Sequence, residues 1–214
     1  LKLKLILITV LAFGSIAYAQ GFKSNLSIGA GFEGIFPAAT FTKSVAEASV
    51  FNANTQATTN SVGVGADARY DFGRHSAINL AFTVNRSSEI FYNSNGGFGS
   101  LTRVQSNNIE IIGTYLFRLP SNEHVKPYAL FGGGVVRFSP NSDYTTGGTP
   151  SADMKPAFAY GFGTDFPIKP RWAIRLQYRG LLRGDPNFKL ASEPFGTSLK
   201  THVAEPSIQL VYHF

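Results

Sequence analysis

The sequence predicts an all-β fold: a single closed antiparallel barrel of about eight strands, with its apolar side chains turned outward to lipid. Three observations predict it. Apolar and polar residues alternate along successive runs of the chain, and the connections between runs alternate long and short. The polar face of the runs is small, glycine-rich and mixed in charge. A period of two means strands with two unlike faces.

Composition narrows the class. Only 15% of residues are charged while 14% are aromatic, which suits a surface that does not all face water. The net charge is +6, but Lys2 and Lys4 lie in a leader and the remaining excess forms no stripe. Nucleic acid is therefore excluded as a partner. The absence of Cys excludes disulfides, thiolate chemistry and a lipid-modified N-terminal cysteine. No later segment reaches 18 consecutive apolar residues, so a helical membrane protein is excluded.

The leader comes first. Lys2 and Lys4 precede the apolar run Leu5 to Phe13, and Ala17-Tyr18-Ala19 is a small-x-small cleavage site. Residues 1–19 are expected to be a cleavable secretory signal peptide and 20–214 the outer-membrane β-barrel domain. The apolar run is too short to cross a bilayer, which takes about 20 residues.

The runs follow in order. Leu26, Ile28, Ala30 and Phe32 alternate with Ser27, Gly29 and Gly31. Val62 to Phe72 places apolar residues at even numbers against Gly63, Gly65, Asp67, Arg69 and Asp71. Ile78, Leu80, Phe82 and Val84 form the third run. Ile109, Ile111, Tyr115 and Phe117 alternate less cleanly with Glu110, Thr114 and Arg118. The fifth run, Tyr128 to Phe138, is weaker and broken by Gly132-Gly133-Gly134. Phe158, Tyr160, Phe162 and Phe166 make the sixth, and Trp172, Ile174, Leu176 and Tyr178 the seventh. Ile208, Leu210, Tyr212 and Phe214 close the set.

Long polar connections are expected at 37–60, 87–103, 139–155 and 184–200, and short turns at 73–76, 120–126 and 167–170. Membrane barrels sort their loops this way, with short periplasmic turns and long extracellular loops. A soluble sandwich has no reason to.

Parity assigns the interior. The inward charges are Glu33, Asp67, Arg69, Asp71, Glu110, Arg118, Arg137, Asp165, Arg175, Arg179, Arg183 and Glu205, without a lysine. The arginine fork suits carboxylate pairing in confined space, and buried charges require partners. Expected pairs are Glu110 with Arg137, Arg179 with Glu205, and Asp165 with Arg175. A narrow barrel has its interior filled by side chains, and glycines fit such a lumen. Tyr70, Phe72, Tyr115, Phe117, Tyr128, Phe166, Trp172, Tyr212 and Phe214 gather beside the short turns, as an interfacial aromatic girdle would.

The last run, Ile208-Gln-Leu210-Val-Tyr212-His-Phe214, looks like the C-terminal signal of bacterial outer-membrane proteins. With the glycine- and aromatic-rich repeats, residues 20–214 resemble the small outer-membrane β-barrel family of OmpA-like and OmpX-like proteins. That resemblance implies that Leu210, Tyr212 and Phe214 are read by the barrel-assembly machinery. It also implies a Gram-negative cell envelope location, contact with outer-membrane lipids and lipopolysaccharide, and a monomer. The function it implies is non-enzymatic: a structural or surface-interaction role through the extracellular loops. Those loops equally fit disordered spacers. A lipid A deacylase or acyltransferase and a narrow, porin-like channel are the alternatives.

Other chemistry is sparse. Gly29-Ala-Gly31-Phe-Glu-Gly34 matches a dinucleotide fingerprint, but Ile35-Phe36-Pro37 opens no helix, so no cofactor is expected. The four histidines lack metal-ligand spacing, so no metal is expected either. His202, Glu205 and Ser198 lie near the outer rim, but His202 and Glu205 have opposite parity, which argues against a triad and for ordinary rim residues. Arg86 falls on the lipid-facing parity near that rim, either snorkelling or meeting a lipid phosphate.

Overall fold

The computed structural model describes residues 25–38, 53–95, 98–120, 124–145, 149–189 and 200–214; the expected leader lies outside them. Among the described residues nine strands run in chain order: β1 (Leu26–Pro37), β2 (Ala53–Thr58), β3 (Ser61–Asp71), β4 (Ser76–Asn95), β5 (Phe98–Arg118), β6 (Lys126–Thr145), β7 (Asp153–Lys169), β8 (Trp172–Gly184) and β9 (Lys200–His213). Every pairing is antiparallel, and β4 meets β5 to close the sheet. Eight strands form the barrel wall, and β2 is an addition to it. Both β2 and β3 pair with β4, at Thr58↔Glu89 and Gly63↔Asn85 respectively. The two are thus one long strand interrupted at Thr59 and Asn60. There, the Thr59 amide donates to the Ser88 carbonyl, and the Ser88 amide donates to the Thr59 hydroxyl.

The period-two pattern acts as expected on most of the wall. Phe32, Val64, Leu80, Ile111, Phe162, Leu176 and Ile208 lie exposed on the outer face. Glu33, Asp67, Glu110, Asp165, Arg175, Arg179 and Glu205 are buried within. Trp172 packs edge-on against Tyr212, which meets Phe214 in turn, and Phe72 and Phe131 flank Tyr115. These rings stand beside the short turns as an interfacial girdle.

Two expectations need correction. The segment 87–103 is not a loop: β4 and β5 continue as one ladder up to Asn95↔Phe98. Its inward residues there, Ser87 and Glu89, are polar, so the hydrophobic alternation that marks a strand is missing.

The second correction is β6, whose parity is inverted. Tyr128, Leu130, Val136 and Phe138 point inward and are buried, while Arg137 is exposed on the outer face. The glycine run hides the alternation, and it has a structural cause. A Cβ on Gly132 or Gly134 would lie 2.1 or 2.0 Å from carbonyl oxygens of β5. Only glycine lets the backbones approach this closely at the bend.

The join of β1 and β9 is interrupted. β1 and β9 pair from Ser27↔His213 to Glu33↔Ser207 and resume at Phe36↔Ala204. Pro206, which has no N–H to give, stands in the gap.

Candidate functional site: the filled barrel interior

The interior is built in layers, each from side chains of several strands. At the periplasmic end Leu116, Leu130 and Ala77 surround Tyr128. The Tyr128 hydroxyl donates to Gln177 Oε1 at 2.8 Å, and the Arg69 guanidinium lies 4.3 Å from the ring centroid.

Above this plug is a balanced charge layer. Arg69 Nη1 meets Asp165 Oδ2 at 2.8 Å, Arg175 Nε meets Asp165 Oδ1 at 2.8 Å, and Arg175 Nη1 meets Asp67 Oδ2 at 2.7 Å. Two guanidiniums serve two carboxylates, all four buried. Asp71 and Arg118 stand apart at the rim, 2.5 Å from each other with 17% and 30% of their side chains exposed.

The middle layer is unbalanced. Arg179 alone reaches three carboxylates: Glu205 Oε2 at 2.6 Å, Glu110 Oε2 at 3.0 Å and Glu33 Oε1 at 3.1 Å. Neutral donors share the load. Thr83 Oγ1 donates to Glu33 at 2.9 Å and Asn85 Nδ2 to Glu110 at 3.1 Å. Asn108 continues the chain by donating to Asn85 and Ser87. The expected Glu110–Arg137 pair does not form, because Arg137 points outward; Glu110 is held by Arg179 and Asn85 instead.

Toward the extracellular end lies an apolar layer. Ile35, Phe91, Val104, Ile112, Val136, Phe138, Leu181, Phe188 and Val203 form one buried cluster. Phe188 comes from the chain just past β8 and packs edge-on against Phe91 and Phe138 at 6.4 and 6.5 Å. It has φ 51° and Lys189 φ 57°, left-handed values that cost a bulky residue energy. The turn is tied down by the Ser151 amide on the Phe188 carbonyl and the Asn187 amide on Asp153.

Taken together, the wall sheds its apolar side chains outward and keeps its charges inward. The family described as "Outer membrane protein beta-barrel domain" matches residues 5–214. The chain belongs to that family. It is an outer-membrane β-barrel protein.

Solved barrels share its fold. Ail, the attachment invasion locus protein of Yersinia pestis, is 18% identical with TM-score 0.52, the alignment covering 90% of this chain and 99% of Ail. OprG from Pseudomonas aeruginosa is 14% identical with TM-score 0.58, covering 91% and 98%. Neisserial surface protein A is 14% identical with TM-score 0.53, covering 88% and 97%. No curated protein matches the sequence.

Other sequence candidates of this outer-membrane barrel separate in space. His202 Nε2 lies 2.8 Å from the Tyr160 hydroxyl on the outer face, while Glu205 is buried against Arg179. These two do not converge, and Ser198 lies outside the described residues. Leu210 and Phe214 are exposed on the outer wall beside Tyr212. Among the described residues no group of three His, Cys, Asp or Glu side chains could hold a metal ion.

One cluster escaped the sequence reading. Glu89 is fully buried on β4, beyond Val84, the last residue of that strand's outward apolar row. Its carboxylate accepts from Thr58 Oγ1 at 2.8 Å and Gln56 Nε2 at 3.4 Å, and Arg183 Nη2 lies 3.7 Å away. Gln56 Nε2 also donates to the Pro186 carbonyl at 3.1 Å, linking β2 to the Phe188 turn. Arg183 in turn lies 4.8 Å from the Phe138 ring centroid. Burial pushes the Glu89 carboxyl up to about 7, with Arg183 and Thr58 opposing the rise. Continuing the inward parity of Asn79, Thr83 and Asn85 through Ser87 to Glu89 would have found it.

Proposed function

We propose that this barrel conducts nothing and serves as a rigid anchor that holds a surface-contact hairpin outside the cell. One observation carries the reading. The lumen is packed at every level described, while β4 and β5 run unbroken to Asn95↔Phe98. From Arg86 the hairpin extends about 30 Å of strand past the apolar band, at roughly 3.3 Å per residue. Ions or solutes would have to pass the Arg179 layer and then the Phe188 cluster, both built of buried side chains. A stiff, polar projection on a filled cylinder suits recognition at the surface. Export depends on a cleaved leader at 1–19 in this reading.

The test has two arms. The purified full chain in planar bilayers should give no steady conductance, and reproducible single-channel currents would overturn the anchor reading. Cells displaying a variant with residues 93–100 replaced by a two-residue turn should insert the barrel normally. They should lose adherence to immobilised glycans or host-cell monolayers that the full chain supports. Undiminished adherence would remove the hairpin from the function.

A further inference from the structure

The outer wall is not uniform near its extracellular end. On β1, β3, β7 and β8 the outward row stays apolar there, with Phe36, Val62, Met154 and Leu182 all exposed. On β4, β5 and β6 it changes character. Above Val84, Ile109 and Val135 the outward residues include Arg86, Gln105, Asn107, Arg137, Ser139 and Asn141, with Arg103 further along β5 held to the Ser88 hydroxyl. The register makes them neighbours: Arg86 stands beside Asn107, Asn107 beside Ser139, and Arg137 beside Ile109. Arg86 and Arg137 are therefore two strands and two residues apart, about 12 Å between Cα atoms by standard sheet spacings. Two arginine side chains can bridge that span around one anion. Arg86 Nη2 donates to Gln105 Oε1, which also accepts from Asn141 Nδ2 at 2.9 Å, so the first guanidinium is held in place by a neutral clamp. Among the residues whose side chains are described, no carboxylate lies on this face. Glu89 and Glu110 are buried within the barrel, and Asp153 is occupied by Lys155 at 3.1 Å.

We propose that this face of β4–β6 binds the phosphate of an outer-leaflet lipid headgroup, with Arg86 and Arg137 as the charged contacts. Charge complementarity calls for an anion, and the fork of arginine makes paired hydrogen bonds to phosphate. Position selects an amphiphile over a free ion. The apolar row immediately below would carry the acyl chains of the same molecule. Snorkelling explains one rim arginine with water as its partner. It does not explain two arginines set among amides on strands separated only by β5, while the outward rows of β1, β3, β7 and β8 stay apolar.

The full chain folded in micelles, exposed to phosphatidylcholine with or without diphosphoryl lipid A, tests this by native mass spectrometry of retained lipid. Wild type should hold lipid A in preference to phosphatidylcholine, and fully dephosphorylated lipid A should lose that preference. The Arg86→Gln/Arg137→Gln variant should retain it about tenfold less, the scale of one or two charge-assisted hydrogen bonds. Arg86→Lys/Arg137→Lys should fall between, and Arg74→Gln in a periplasmic turn should match wild type. Heat-modifiable gel mobility confirms that each variant is folded, and the single Arg86→Gln change replaces the double one if that fails. Equal retention by the glutamine variant overturns the proposal, as does equal retention of dephosphorylated lipid. Complete displacement by an equal concentration of inorganic phosphate would assign the site to a free anion and sink the lipid reading.

Discussion

In the lower charged layer two guanidiniums, Arg69 and Arg175, share two carboxylates, whereas in the middle layer Arg179 alone faces Glu33, Glu110 and Glu205. Both layers are buried and both set arginine against carboxylates, aspartates in the lower and glutamates in the middle. They differ in how much each depends on one side chain. Losing Arg175 from the lower layer leaves Arg69 beside Asp165, and only Asp67 is left without its ion pair. Losing the cation from the middle layer leaves three acids facing one another in a space with little water. Removing one partner of a buried ion pair costs far more than the pair contributes over an apolar filling.

The largest effect expected is therefore from Arg179→Ala, roughly 5 kcal/mol or more, at or beyond the top of the range for broken buried pairs. Urea midpoints of the protein in lipid vesicles measure it. Arg175→Ala should cost about 3 kcal/mol, the low end of that range, because Arg69 remains on Asp165. If the two substitutions proved equal, or Arg175 the costlier, the asymmetry between the layers would have no energetic meaning.

A third test concerns the extracellular end. Glu89 has its folded value raised, so it binds its proton more tightly in the folded barrel than in the unfolded chain. Its stabilising contribution is fully present below the ordinary carboxylate range and is lost as pH rises through about 7. Raising the pH from 5 to 8 should weaken the junction of β2, β4 and the Phe188 turn by on the order of 2–3 kcal/mol. Faster amide exchange at residues 56–58 and 187–189 would report it. In Glu89→Gln that pH dependence should vanish, and its persistence would point to another titrating group.

The smallest effect belongs to the rim. Arg118→Ala breaks a partly exposed pair with Asp71 and should shift the midpoint by under about 1 kcal/mol. A loss comparable to that of Arg175→Ala would extend the buried layer to the periplasmic rim.

These layers also explain what could be read from the residues in advance. The architecture was legible because lipid and lumen impose opposite demands on neighbouring positions. Phe162 beside Gly163, or Leu176 beside Arg175, already assigns a face to each. The arginine-for-lysine bias led to the expectation of close pairing, and Arg179 lies against Glu205 and Arg175 against Asp165 across neighbouring strands. What failed was β6. The two ends of the lumen are closed by apolar side chains, so Tyr128 and Phe138 look lipid-facing by hydropathy alone. Glycine at 132–134 removes the intervening cue, and the error carried Arg137 to the wrong side. The hairpin above Arg86 failed for a related reason. Once both faces of a strand meet polar surroundings, the contrast that identifies it disappears. Phe188 reaches its place through a left-handed turn that no periodicity announces.

Pro206 interrupts the one join that the chain can make only after both its first and last strands exist. Every other neighbouring pair in the wall is tethered by a turn, a loop or an interposed strand of the same hairpin, but β1 and β9 meet across the full length of the molecule. A cylinder with a missing hydrogen bond along that line has a built-in place to begin coming apart. Mechanical or thermal unrolling should start between Gly34 and Pro206 and travel outward from there toward both ends.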